Sequence, residues 1–275
     1  MEYRSVVFAG GGCRCFWQAG FWDEVGEFIA PRVVAGVSAG AAFACSALAG
    51  ISEKVLAEFK RRTDENPSNL HLRELRRART PFPHHAMYRG TIEATTDEHM
   101  LRELRAGPEI RILLAHPPAR WRPTPAIAAG LLSYRAEQIL RGRGTPQWPT
   151  KLGFQAQVVR ANDCETPGEL ADLILQSSCL PPLMPMLRRG GLPVVDGAVI
   201  DSAPVHLVDH EPNTLVLLTH HADQIRQAPG VTYVRPSRPV PIELWDYAHP
   251  ERVQATYDLG REDGASFRRT LLRSA

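Results

Sequence analysis

Val33-Val34-Ala35-Gly36-Val37-Ser38-Ala39-Gly40-Ala41-Ala42 joins an apolar, β-branched run to a run of small residues. The join is a G-x-S-x-G pentapeptide, Gly36 to Gly40. This pattern predicts a strand that stops at Ser38 and turns straight into a helix. Such a turn lifts the serine hydroxyl out of the fold and aims the free N–H groups of the helix start beside it. The flanking glycines are expected to leave room for the tight turn and for a ligand. A nucleophilic serine needs this geometry. The same residues also suit a plain corner that closes a strand on a helix, so other segments must decide.

Gly10-Gly11-Gly12 follows the apolar run Val6-Val7-Phe8-Ala9 and precedes a helical-looking stretch from Cys15 to Ile29. A glycine triple lets main-chain N–H groups approach a ligand with no side chains in the way. Two strand–glycine–helix units in tandem can set such a loop beside a serine, as an oxyanion site for acyl chemistry requires. Nucleotide loops fit less well. A dinucleotide fingerprint needs a third glycine where Cys15 stands, and an acid at the end of the next strand, where Ala35 and Gly36 stand. No Gly-Lys-Ser or Gly-Lys-Thr occurs anywhere in the chain.

Asp196-Gly197-Ala198 follows Pro193-Val194-Val195 and reads as a short strand ending in an acid on a small-residue turn. It lies 158 residues beyond Ser38, so only the fold can bring the two together. An isolated Asp-Gly is usually a turn.

Together these segments resemble the patatin-like phospholipase family, which carries G-G-G-x-R-G, G-x-S-x-G and D-G-[GA]. The first block here reads Gly10-Gly11-Gly12-Cys13-Arg14-Cys15, with Cys15 in place of the last glycine. The other two blocks match fully. Ser177-Ser178-Cys179-Leu180-Pro181 looks like the family's small-residue and proline segment. Asp201-Ser202-Ala203-Pro204-Val205 looks like its D-N-x-P continuation, with Ser202 for asparagine. The likeness covers about residues 3–50 and 175–206. It implies an α/β fold of three layers, α/β/α, with a mostly parallel central sheet, and lipid acyl esters as substrates. It also implies no metal or other cofactor. Ser38 is the implied nucleophile and Asp196 the base that takes its proton directly. The Gly11, Gly12 and Cys13 amides are implied to hold the oxyanion. Arg14 is expected to brace that loop or to attract a phosphate headgroup. Acyl transfer and thioester hydrolysis use the same acyl-serine chemistry. A lipid-binding pseudoenzyme, with Cys15 marking a drifting loop, is the non-catalytic alternative.

His206, His210, His220 and His221 all follow Asp196, which is the Ser, Asp, His order of an α/β-hydrolase triad. Against a triad, the glycine loop sits only one helix before the serine. The run Leu180-Pro181-Pro182-Leu183-Met184-Pro185-Met186-Leu187 offers rigid prolines and pliable methionines. Leu183 and Met184 are therefore candidates to line an acyl-chain groove, and the alternative is a packed loop that orients the aspartate strand.

The chain has 275 residues, 44% hydrophobic and 23% charged, and a net charge of +2. These values suit one globular domain, residues 1–275, and do not suit a nucleic-acid binder. No apolar run approaches the ~18 residues of a membrane helix. The N-terminal run reads as a core strand. Five cysteines, at 13, 15, 45, 164 and 179, suggest reduced thiols in a cytoplasm-like compartment. No ligand spacing for a metal is seen.

Strands are expected near 4–9, 32–37, 110–115, 154–160, 193–196, 213–219 and 231–235. Helices are expected at 15–29, 39–49, 52–62, 96–106, 126–141, 167–177 and 251–272. Helices are expected on both sheet faces. Thr95-x-x-Glu98 reads as a capping box. Pro/Arg-rich stretches at 79–90, 117–125 and 142–151 read as loops of an insertion or lid around 60–150. Lys60, Arg61, Arg62, Arg73, Arg76, Arg77 and Arg79 form a basic stretch. It reads as a solvated helix face or as a peripheral contact for anionic headgroups, with Phe82, Met87 and Tyr88 as shallow anchors.

Overall fold

The computed structural model describes residues 2–77, 80–118, 148–208, 211–220 and 228–274. The expected helix at 126–141, together with Arg79, His210 and His221, lies outside the described residues.

Strand β1 (Ser5–Phe8) runs parallel to β2 (Val33–Val37) on one side and to β7 (Thr214–Leu217) on the other. β3 (Glu109–His116) continues the parallel set beyond β2, and β8 (Val231–Val234) beyond β7. β4 (Gln155–Arg160) and β6 (Leu192–Asp196) run antiparallel to β3, and β5 (Leu187–Arg189) pairs with β6. The order is β5-β6-β3-β2-β1-β7-β8, with β4 pairing β3 off that path. The sheet is mixed, mostly parallel, and flanked by helices, as the sequence leads one to expect.

Side chains alternate across it. Val6, Phe8, Val34, Ile112 and Leu215 join the larger core, under α1 (Phe16–Val25), α2 (Ala39–Leu48), α6 (Glu98–Ala106) and α8 (Pro167–Ser177). Val7, Ala35, Val37 and Val216 face the other way, onto Leu207 and Val208. β2 and β3 are joined through α2, α3 (Ser52–Asp64), the single turn α4 (Leu72–Leu75), α5 (His84–Thr95) and α6. Beyond β3 come α7 (Trp148–Lys151), α8 and the C-terminal α9 (Pro250–Ser274), which packs on α1.

Three local expectations are corrected, the first being that 142–151 is loop: its described residues, Trp148–Lys151, are the helical turn α7. The stretch 79–90 is not all loop, because α5 begins at His84. Pro83 occupies its N-cap position, so the prolines mark a helix start. The capping box at Thr95 is also absent. Thr95 Oγ1 donates to the Thr91 carbonyl at 2.8 Å and closes α5. Asp97 caps α6 instead, accepting from the Met100 N–H at 2.9 Å.

Candidate active site

The register of the sheet brings the two sequence blocks together. Val37, the last residue of β2, pairs with Leu113, and Asp196, the last residue of β6, pairs with Leu114. β2 and β6 therefore run toward each other along opposite edges of β3 and end at the same level of it. Ser38 begins where β2 stops, and its Oγ lies 2.6 Å from Asp196 Oδ2. Both residues are buried.

Ser38 sits at φ 56, ψ −138, a region that side chains rarely occupy. Holding a non-glycine residue there costs about 1–3 kcal/mol, so its surroundings must enforce it. Ser177, at the end of α8, does so. Its Oγ accepts the Ser38 N–H at 2.9 Å and donates to the Leu113 carbonyl at 2.8 Å. Two residues on, the Cys179 carbonyl accepts the Asp196 N–H at 2.7 Å. One short segment thus fixes the backbone of both residues. The glycines around Ser38 do not leave room for a ligand as expected. A Cβ on Gly40 would collide with the carbonyls of Phe8 and Ala9, so Gly40 is needed for α2 to pass close to β1.

Burial pushes the Asp196 carboxyl from 3.8 up to about 6. The Ser38 hydroxyl and the Ala198 N–H, which donates to Oδ1 at 2.8 Å, pull it partly back. No described histidine ring hydrogen-bonds to Ser38 or Asp196. His206 Nδ1 instead meets the buried Asp201 Oδ2 at 3.2 Å. His220 lines the cavity described below.

The glycine loop lies against the serine. An idealised Cβ on Gly10 would stand 3.3 Å from Ser38 Cβ. The loop is anchored by Gly10 N–H to the Ser202 carbonyl at 2.8 Å and by Thr219 Oγ1 to the Gly10 carbonyl at 3.0 Å. Gln18, buried beneath it, donates to the carbonyls of Ala9 and Leu217. The amides of Gly11, Gly12 and Ala39 meet no acceptor among the described residues. The Cys13 amide differs from expectation, because it donates to the Leu244 carbonyl at 2.9 Å and is not free for a ligand. Arg14 is likewise committed, with Nη2 2.6 Å from Glu243 Oε2, so it braces the loop against the 242–246 segment. Cys15 has φ −67 and ψ −12, an ordinary right-handed turn, so a side chain carries no backbone penalty there.

Ser38, Asp196, Gly11 and Gly12 face a cavity of about 1260 Å³. Its apolar wall includes Phe16, Phe43, Phe59 and Ile92, and also the expected Leu183 and Met184. Its lining also carries polar groups, among them Asp201, His206, Thr219 and His220. Tyr88 lines the cavity, with its hydroxyl 3.1 Å from Ser178 Oγ, and Met87 is buried. Neither can act as the surface anchor expected of it. Lys60, Arg61 and Arg62 are engaged by Gln254, Glu58 and Glu65, which is the plain reading of that half of the basic stretch.

All five cysteines are buried as free thiols. Among the described residues no group of three or more His, Cys, Asp or Glu stands close enough to hold a metal ion. No described helix is long and apolar enough to cross a membrane.

The sequence reading does not single out Ser177, Gln18, Thr219 or the 242–246 segment as functional. The first lies in the small-residue segment preceding the aspartate block, which is a usable signal. The others act through backbone contacts that leave no local pattern.

A family model described as Patatin-like phospholipase matches residues 6–209. Among solved structures, VipD from Legionella pneumophila is similar over 97% of this chain and 67% of that one, with 11% identity and a TM-score of 0.43. No curated protein matches the chain.

Proposed function

Since the chain belongs to the patatin-like phospholipase family, we propose that it is a serine lipid acyl hydrolase working through Ser38 and Asp196 alone. Family membership supports a lipid acyl substrate, and the rest rests on the geometry of the site. Ser38 Oγ attacks the ester carbonyl carbon while its proton passes to Asp196 Oδ2. The carbonyl oxygen becomes an oxyanion, and the free N–H groups of Gly11, Gly12 and Ala39 are its donors. Each such donor is typically worth about 3–4 kcal/mol at the transition state. Collapse expels the alcohol, which leaves with the proton held on Asp196, and Ser38 carries the acyl group. Water then attacks the acyl carbon, its proton going to Asp196, and that proton returns to Ser38 as the fatty acid departs.

An ordinary aspartate is too weak a base for this role. The buried carboxyl, raised to about 6, is better matched to neutral pH. The start of α2 behind Ser38 adds the positive end of a helix dipole. The apolar wall, with Leu183 and Met184, suits an acyl chain. Within one domain, 1–275, the described part of the 60–150 insertion contributes cavity wall through His84, Tyr88, Ile92 and Met100. Five buried free thiols suit a reducing, cytoplasm-like compartment.

The observation that carries this reading is the 2.6 Å contact between a conformationally strained, buried serine and a buried aspartate. The test is hydrolysis of a series of p-nitrophenyl esters and phospholipids by the chain and by Ser38→Ala. The chain is expected to release fatty acid, and Ser38→Ala to lose at least about a thousandfold. Equal turnover by both proteins contradicts the proposal.

A further inference from the structure

Among the described residues, eight large apolar side chains stand exposed, and four of them lie on two segments that hydrogen bonds tie together. Leu70, Leu72, Leu75 and Trp245 are exposed by 45%, 62%, 56% and 43%. The other four, Phe28, Val158, Leu192 and Leu272, lie on other elements. Asn66 Nδ2 donates to the Tyr247 carbonyl at 2.7 Å, and the Tyr247 N–H donates to Asn69 Oδ1 at 2.7 Å. Asn69 Nδ2 reaches the buried Asp246 at 3.3 Å. These bonds hold residues 66–69, which lead directly into Leu70 and α4, against the residues that follow Trp245. Trp245 itself is both exposed and part of the cavity lining, so the patch abuts the cavity's mouth.

The 66–77 side of the patch is predominantly basic, while Trp245 stands between Glu243, which pairs with Arg14, and the buried Asp246, which pairs with Arg252. Arg73, Arg76 and Arg77 interleave with the leucines, and Glu74 is the only acid between 66 and 77. Glu74 pairs with Arg77 at 3.3 Å. Arg73 and Arg76 are exposed and meet no carboxylate among the described residues.

We propose that this rim is a docking surface for an anionic lipid bilayer. The leucines and Trp245 enter the headgroup–acyl boundary while Arg73 and Arg76 bind lipid phosphates. The rim's continuity with an apolar-walled cavity favours a bilayer over a protein partner. A lipid acyl chain can pass from one apolar phase to the other at Trp245 without crossing water. The inference rests on the proposed function only for what the docked surface delivers, because binding to the bilayer requires no turnover.

The test is cosedimentation of the Ser38→Ala protein, which leaves lipids intact, with phosphatidylcholine vesicles with and without about 30 mol% phosphatidylglycerol. Binding is expected to the anionic vesicles and to fall when salt is raised from about 0.1 M to 0.5 M. Adding Leu72→Ser with Leu75→Ser is expected to lower partitioning about tenfold or more. Adding Arg73→Gln with Arg76→Gln is expected to lower it at least about fivefold, on the anionic vesicles only. In the chain with Ser38 intact, both pairs of changes are expected to leave turnover of a soluble p-nitrophenyl ester within about twofold. Failure to sediment with anionic vesicles, or sedimentation unchanged by the leucine changes, overturns the proposal. So does self-association that depends on Leu72 and Leu75 without vesicles, which assigns the rim to a protein. Vesicle binding without ester turnover leaves docking standing and refutes only the proposed function.

Discussion

Asp196→Asn tests the charge of the site through stability and rate at once. In the folded chain burial raises the carboxyl from 3.8 to about 6. The folded state therefore holds the proton more tightly than the unfolded one. The protonated carboxyl is fully accommodated below pH ~4, and stability is lost as pH rises through about 6. Above that range, keeping the carboxylate buried costs about 3 kcal/mol. Asparagine cannot ionise. Its carbonyl can keep the Ala198 N–H bond, and its NH₂ can donate to Ser38 Oγ. Asp196→Asn is expected to be more stable than the parent chain by about 1–3 kcal/mol at pH 8, with the difference shrinking below about 1 kcal/mol near pH 4. Urea melts of both proteins across that range measure it. In parallel, kcat/KM of the parent chain on a soluble ester is expected to rise with pH and level off above about 6, as Asp196 ionises. Asp196→Asn is expected to lose about a thousandfold in turnover. A variant that is less stable than the parent at pH 8, or that keeps turnover, refutes the reasoning.

Three further changes probe the backbone around the pair. Ser177→Ala leaves the Ser38 N–H and the Leu113 carbonyl without their shared partner, and is expected to cost about 1–3 kcal/mol in a urea melt and to lower kcat more than it raises KM. Gly12→Ala places a Cβ at φ 54 against the Leu244 carbonyl, and is expected to cost at least about 2 kcal/mol in thermal melts and most of the ester turnover. Cys15→Gly is expected to keep turnover within a few-fold in steady-state kinetics, because Cys15 already has helical angles, while losing about 1–2 kcal/mol of stability. A tenfold gain in kcat/KM for Cys15→Gly instead assigns the cysteine to obstruction of the loop.

The parts of the site legible in sequence are those that a local pattern dictates. An apolar run broken by Gly36 and Ser38, then Ala39 to Ala42, states both the strand and the helix because periodicity and residue size change at one point. The pairing of Ser38 with Asp196 became legible through resemblance, since nothing local links residues 158 apart. The register of β2 and β6 on β3 supplies that link, and register is a property of the whole sheet. The fate of the Cys13 amide was not legible, because its acceptor, Leu244, is an ordinary residue in a loop. Helix α5 was hidden by Pro81 and Pro83, which punctuate sequence in the same way whether a loop continues or a helix begins. β5 escaped notice because three residues are too few to show a period. The composition that flagged a basic stretch could not separate Lys60, Arg61 and Arg62, which are internally engaged, from Arg73 and Arg76, which meet no carboxylate among the described residues.

That Ser38 is the nucleophile is tested most directly by reacting the chain with a fluorophosphonate and locating the adduct by mass spectrometry of its peptides. One adduct, on Ser38, with loss of ester turnover in proportion to labelling, is the expected result. An adduct on any other residue with Ser38 unmodified, or full labelling of Ser38 with turnover retained, contradicts it.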